Sequence, residues 1–266
     1  MKTCILVIVK NEELYLDMFI KYHLDLGINH IFIFEDVNSI SHKKITEKYS
    51  RVTLNPIELL YKDTEIKRNQ HEYLRRALEY IQKNYDYDFC FVIDIDEYIT
   101  LKENSSLGEV LEKYSKMDCL VLQWMNYGAN GHIYQPEYNK PLEAVYTKKA
   151  GMSVNDSQVI TTKMCVNLKT WNRKFWCNNH ICNEKCKWCK PGFIHDRKTP
   201  VYGEIFLRHY ITKSFEEYVN KVYIRGLFSK WHRNYEDFFS LNPDMLDRKE
   251  ELIKIGEKLK MDRVKS

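Results

Sequence analysis

Residues 4–9 are apolar without interruption, the pattern of a strand buried on both faces of a parallel sheet. Lys10-Asn11-Glu12-Glu13 breaks the run, and Asn11 is placed to cap a helix that continues to about Leu26, where Gly27 ends it. Leu14, Met18, Phe19, Tyr22 and Leu26 recur at the helical period. A second strand over 30–34 stops at Glu35-Asp36, and a short helix precedes a third strand around 51–54. A long helix over roughly 64–83 carries Ile66, Tyr73, Leu74, Ala77, Leu78 and Ile81 on one face. Residues 88–93 form another strand, Ser105 or Ser106 caps a helix to about Lys116, and 118–124 is again a strand. Strands alternating with helices predict an α/β fold with a mostly parallel sheet flanked by helices. Residues 236–266 read as a C-terminal helical tail, with Leu246, Leu252, Ile253, Ile255 and Leu259 on its apolar face.

The strand at 88–93 runs into Asp94-Ile95-Asp96-Glu97, three carboxylates in four positions. Charge at the edge of an apolar core is costly unless water, hydrogen bonds or a cation compensates it. A hard divalent cation held by Asp94 and Asp96, and shared with a substrate's phosphates, is the natural compensator. The plainer alternative is a turn after an edge strand, because the motif is short. In parallel α/β sheets, ligands bind beyond the carboxyl ends of the strands. Here the strands end in Lys10-Asn11-Glu12, Glu35-Asp36 and Asp94-x-Asp96-Glu97, so all three acidic ends are expected on one rim. A nucleotide's base and ribose offer donors to Glu12 and Asp36, and a metal would bridge its diphosphate to the other pair.

Composition narrows the partners. The 266 residues are 44% hydrophobic and 14% aromatic, enough for one large α/β domain or two small ones with a sizeable core. A net charge of +4 is too small to imply nucleic acid. It suits an anionic substrate such as a nucleotide, or loose peripheral contact with an anionic membrane. No apolar run reaches the length of a transmembrane helix. The first apolar run stops at Lys10 without a small-residue cleavage site, so it reads as a strand rather than a signal peptide. The cytoplasm is the expected compartment.

Val9-Lys10-Asn11-Glu12, Tyr15-Leu16 and Tyr22-His23-x-x-Leu26-Gly27-x-x-His30-Ile31-x-Ile33 resemble the opening of GT-A glycosyltransferases of the family 2 type, and are similar to the related family 92 enzymes. The resemblance continues through Gln70-x-x-Tyr73, Asp94-Ile95-Asp96-Glu97-Tyr98-Ile99 and Trp124-x-x-Tyr127-Gly128-x-x-Gly131-His132. It ends with His209-Tyr210-x-Thr212-Lys213-Ser214-x-Glu216-Glu217-Tyr218, and so spans most of residues 1–226. It implies a GT-A, Rossmann-like fold, a nucleoside-diphosphate sugar donor and Mn²⁺ or Mg²⁺. It also implies inverting transfer to a glycan, lipid-linked or protein acceptor. Position by position, it implies that Asn11, Glu12 and Asp36 line the nucleoside pocket and that Gln70, with Arg68 nearby, faces the donor. Asp94 then lies by ribose and metal, Asp96 is a direct metal ligand and His209 a further one. The expected organisation is a glycosyltransferase domain over 1–235, split into a nucleotide-binding half (1–125) and an acceptor-side half (126–235), with a helical extension over 236–266.

For such a reaction a cation must stabilise the departing diphosphate, and Arg68, Lys163 and Lys213 are candidate helpers. Lys213 is expected to point outward, because Ser214-x-x-Glu217 is a capping box that it merely flanks. Inversion needs a base for the acceptor hydroxyl; Asp156, in a polar run, is the candidate, with Glu97 and Glu143 as alternatives. Gly128, Gly131 and His132 follow a strand, where a glycine-containing loop lets a sugar approach the backbone. Cys177-x4-Cys182-x3-Cys186-x2-Cys189 reads either as free thiols in a variable loop or as a structural Zn²⁺ site. Two other functions compete. A sugar nucleotidyltransferase normally opens with a glycine-rich, arginine-bearing loop, absent here. A non-enzymatic zinc-containing nucleic-acid-binding protein predicts a basic face, whereas the charges here are mixed throughout.

Overall fold

The computed structural model describes residues 1–61, 70–102, 105–137, 140–151, 162–171, 203–224 and 234–264. Among them eight strands form one sheet: β1 (Thr3–Val9), β2 (His30–Glu35), β3 (Val52–Pro56), β4 (Phe89–Val92), β5 (Glu97–Leu101), β6 (Cys119–Asn126), β7 (Thr162–Asn167) and β8 (Ile205–His209). Their order is β3-β2-β1-β4-β7-β6-β8-β5. The chain forms two compact units, Met1–Trp124 with Ile160–Leu207 and Met125–Val159 with Arg208–Ser266.

In the first unit β1 lies between two parallel neighbours. Ile5 pairs with Ile31 and Val9 with Glu35 on β2, while Leu6 pairs with Val92 on β4. This double coverage explains the unbroken apolar run of β1. β3 continues the parallel half beyond β2. The other half departs from an all-parallel pattern, because β7 pairs antiparallel with both β4 and β6. The expected α/β class therefore holds, with the parallel ladder described here running over β3, β2, β1 and β4.

Helix α1 (Glu13–Asp25) begins one residue later than Asn11 would place it. Its N-cap is Glu12, with no side-chain cap. Asn11 instead adopts φ +52°, a left-handed conformation that Asn tolerates better than most residues. Leu14, assigned above to the apolar face, is exposed. Gly27 ends the helix as expected, at φ +105°. A short helix α2 (Lys43–Thr46) follows β2. Helix α3 (Gln70–Asn84) lays Leu74, Ala77, Leu78 and Ile81 on Cys4, Leu6, Phe32 and Phe34 of the sheet. Helix α4 (Leu107–Lys113) starts at Ser106, whose hydroxyl accepts from the Glu109 N–H in a full capping box.

The Tyr22-His23 pair has a structural task. His23 is fully buried; its Nδ1–H donates to the Phe19 carbonyl at 2.8 Å and its Nε2 accepts from the Ile99 N–H at 3.2 Å. The Tyr22 hydroxyl donates to the Ile99 carbonyl at 2.8 Å. Together they clip α1 to β5, and burial drives the His23 pKa down to about 3, so the ring is neutral in the fold.

The second unit includes α5 (Leu142–Val145), α6 (Phe215–Val219), α7 (Tyr235–Leu241) and α8 (Lys249–Val264). Phe215, Tyr218, Val219, Phe238, Phe239, Met245 and Leu252 form its core, with Ile253, Ile255 and Leu259 packed against it. Leu246, read above as part of that face, is exposed. No helix among the described residues is long and apolar enough to cross a membrane.

Candidate functional site

The sheet brings the ends of three adjacent parallel strands to one edge of the first unit, since β2, β1 and β4 are neighbours running in the same direction. Asn11 and Glu12 follow β1, Glu35 and Asp36 finish β2, and Asp94 and Asp96 lie in the turn between β4 and β5. The juxtaposition expected from the acidic strand ends is therefore present as topology.

Two of those ends are tied together by a network that no local motif announces. The Asn11 N–H donates to Ser39 Oγ at 2.9 Å, and Asn11 Oδ1 accepts from the Ile40 N–H at 2.8 Å. Fully buried His42 donates from Nδ1 to Glu35 Oε1 at 2.7 Å, while its backbone N–H donates to the same oxygen at 2.7 Å. Its Nε2 accepts from the Glu12 N–H at 2.9 Å. A neutral His42 thus bridges the carboxylate ending β2 to the backbone opening α1. Asp36 accepts from the Asn38 N–H at 3.0 Å and pairs with Lys10 at 3.4 Å. Asn11, Glu12 and Asp36 are held on a braced loop. His42, Ser39 and Glu35 are the residues that brace it.

The carboxylates after β4 are more unusual. The Glu97 side chain is 0% exposed; its Oε2 accepts the Asp94 N–H at 2.9 Å. Lys163, on β7 and 1% exposed, places Nζ 2.5 Å from Asp94 Oδ2 and 3.4 Å from Glu97 Oε1, with the Trp124 ring centroid 5.8 Å away. Asp96 is buried, and Asp94 is 41% exposed. Burial pushes the Glu97 carboxyl well above the usual range, with Asp94 and Asp96 adding to the rise and Lys163 opposing it. For Lys163, burial pulls downward, yet Asp94 and Glu97 carry the net shift upward, so the ammonium stays charged. Lys163, expected as a helper for phosphates, is thus already engaged with Asp94 and Glu97. Glu97, weighed above as a base, is enclosed and acts as a brace.

In the second unit, buried His209 donates from Nδ1 to Asn126 Oδ1 at 2.9 Å. With Nδ1 turned to Asn126, Nε2 is the ring nitrogen that a metal ligated by this histidine would meet. The Ser214–Glu217 capping box is present, but Lys213 is 8% exposed with φ +52°, so it does not point outward as expected. Gly128 has a protein-internal reason to lack a side chain, since a Cβ there would lie 2.6 Å from Asn242 Oδ1. Asn242 is held close because its Oδ1 accepts the Ala129 N–H at 2.5 Å. Gln70 opens α3, and its side chain lies outside the described residues, as do Arg68, Asp156, Cys177, Cys182, Cys186 and Cys189.

No family model matches the chain, and no curated protein does either. Among solved structures, the chain is similar to glucosyl-3-phosphoglycerate synthase from Mycobacterium tuberculosis in complex with Mn²⁺, uridine diphosphate and glucosyl-3-phosphoglycerate. The identity is 11% and the TM-score 0.37, covering 63% of this chain and 57% of that one. The same enzyme with Mn²⁺ and uridine-diphosphate-glucose matches at 15% identity and TM-score 0.34, over 47% of this chain and 43% of the other. A mycobacterial protein matches at 10% identity and TM-score 0.36, over 47% and 41%. The chain spans about half the length of these structures, and likeness at this distance carries no function across.

Proposed function

We propose that this chain is a divalent-cation-dependent glycosyltransferase acting on a nucleoside-diphosphate sugar. The observation that carries the reading is the gathering of three carboxyl groups after β4. Asp94 and Glu97 both reach the Lys163 ammonium, and Asp96 is close enough to act on it electrostatically. They do so at the edge where β1 and β2 deliver Glu12 and Asp36. Carboxylate oxygens are the donor set of a hard cation, so the residues fit Mn²⁺ or Mg²⁺. When bound, the ion supplies Lewis-acid stabilisation of the departing diphosphate.

The chain's own residues do the rest. Asp96 offers a buried carboxylate as ligand, and Asp94 offers the oxygen that Lys163 does not take. Asn11, Glu12 and Asp36 bind the nucleoside on the loop braced by His42. His209 is the further ligand that the resemblance implies, with Nδ1 turned to Asn126. Arg68 and Gln70 face the donor. Asp156 takes the proton from an acceptor hydroxyl, on a glycan, lipid-linked or protein acceptor, and transfer inverts the anomeric carbon. A panel of nucleotide sugars tests this by thermal melting and donor hydrolysis. At least one donor should raise the melting temperature only when Mn²⁺ or Mg²⁺ is present, and chelation should reverse the shift. No shift for any donor–ion pair overturns the reading.

A further inference from the structure

We infer that Lys163 is the resting counter-ion of this carboxylate cluster and competes with the divalent ion for Asp94, so that the ion is held firmly only together with the donor's diphosphate. The inference rests on the glycosyltransferase reading and adds a control to its metal site.

The geometry supports it from three sides. First, the lysine is built in. Nζ comes from the middle of the sheet, where β7 is paired on one side with β4 and on the other with β6, and the side chain is 1% exposed. A buried ammonium without partners would be strongly destabilising, so its position is set by its carboxylates. Second, the contact falls on the residue that a metal also needs. Nζ sits 2.5 Å from Asp94 Oδ2 and 3.4 Å from Glu97 Oε1, and Glu97 Oε2 in turn accepts the Asp94 backbone N–H at 2.9 Å, so the lysine, Asp94 and Glu97 form one connected cluster. Third, Asp94 is 41% exposed although Lys163 and Glu97 are enclosed. An ion from solvent therefore meets Asp94 first and finds one of its oxygens taken by a positive charge a few ångströms away.

Electrostatics then sets the order of events. A divalent ion entering alone is repelled by the ammonium and recovers one free oxygen of Asp94 together with Asp96. An ion arriving with a diphosphate brings its own anionic oxygens and offsets that repulsion. The lysine also supplies a counter-charge to Asp94 and Glu97.

The test is Mn²⁺ binding followed by electron paramagnetic resonance, first without nucleotide. Glu97→Gln serves as the parent, so that the proteins compared differ in charge at residue 163 alone. Adding Lys163→Met to that parent should tighten Mn²⁺ at least about tenfold, as expected for removing one charge near a divalent ion at an effective dielectric of about 20. Lys163→Arg in the same parent should leave affinity within about threefold of it. A loosened fold would weaken Mn²⁺, the opposite sign, so structural damage does not imitate the expected result. Equal or weaker binding on Lys163→Met overturns the inference. Should the double variant not fold, the wild-type protein decides. Its Mn²⁺ affinity should rise at least about tenfold when uridine diphosphate is added, and equal affinity with and without it overturns the inference. Absence of Mn²⁺ binding in every protein, with or without uridine diphosphate, sinks the glycosyltransferase reading as well. Binding that ignores Lys163 sinks this inference alone.

Discussion

Glu97 in the first unit and Glu217 in the second are both buried glutamates near the start of an element of structure, and they are held in different ways. Glu217 Oε2 accepts from the Ser214 N–H at 3.0 Å, the Ser214 hydroxyl at 2.6 Å and the Tyr146 hydroxyl at 2.9 Å. Among the described residues these donors are two hydroxyls and a backbone N–H that belong to the fold. Glu97 accepts the Asp94 N–H on one oxygen, while its other oxygen has no hydrogen bond among the described residues and lies 3.4 Å from the Lys163 ammonium. Two further carboxylates stand beside it. A carboxylate satisfied by neutral donors is explained by folding. A buried carboxyl oxygen that has no hydrogen bond and faces an ammonium shared with a second carboxylate is the kind of arrangement found at functional sites. The difference separates structure from function in one chain without reference to any other protein.

The comparison breaks most visibly at Asp96. Asp96→Ala should lower sugar transfer at least about a thousandfold, about 4 kcal/mol of transition-state stabilisation, while the melting temperature stays close to wild type because the change relieves like charges. Activity within tenfold of wild type would place the chemistry elsewhere. His23 sharpens the comparison from the structural side, since it is satisfied like Glu217 yet lies in the first unit. Its pKa is about 3 in the fold against an ordinary value near 6.5. The unfolded chain therefore takes up a proton below about pH 6.5 that the folded chain refuses. His23's contribution is complete above that pH and declines by about 1.4 kcal/mol per unit as pH falls toward 3. Urea denaturation between pH 7 and 4 should show this slope, and His23→Gln should flatten it.

Smaller effects follow. Glu217→Gln should cost about 1–2 kcal/mol of stability in urea denaturation and leave Mn²⁺ affinity unchanged, because it weakens the bonds from Ser214 and Tyr146 of its own unit. A shift in Mn²⁺ affinity would erase the contrast with Glu97. His42→Ala loosens the brace between Glu35 and Glu12, and should raise KM for the donor about tenfold with kcat nearly preserved, read from steady-state kinetics. An equal fall in kcat would give His42 a part in the chemistry.

Much of the candidate rim was legible because it is local. An apolar strand ending in acids reads directly, and topology alone then sets β2, β1 and β4 side by side. The antiparallel half was not legible, since β7 (Thr162–Asn167) carries a lysine within its run and resembles no amphipathic period. Lys163 finds Asp94 across 69 positions, and His42 finds Glu12 across 30, pairings that depend on the sheet rather than on spacing. Asn11 misled for a related reason. Its side chain can cap a helix or brace a loop, and the choice is made by Ser39 and Ile40, which sequence proximity does not reveal. Lys213 misled because a capping box constrains the residues inside it and leaves the preceding side chain undetermined.

The central claim is that Asp94 and Asp96 hold a divalent cation with the donor's diphosphate, and Mn²⁺ titration in the presence of uridine diphosphate tests it most directly. Wild-type protein should bind one Mn²⁺ per chain, and Asp94→Asn combined with Asp96→Asn should weaken that binding at least about a hundredfold while the protein remains folded by circular dichroism. Unchanged Mn²⁺ affinity in the folded double variant would contradict the account.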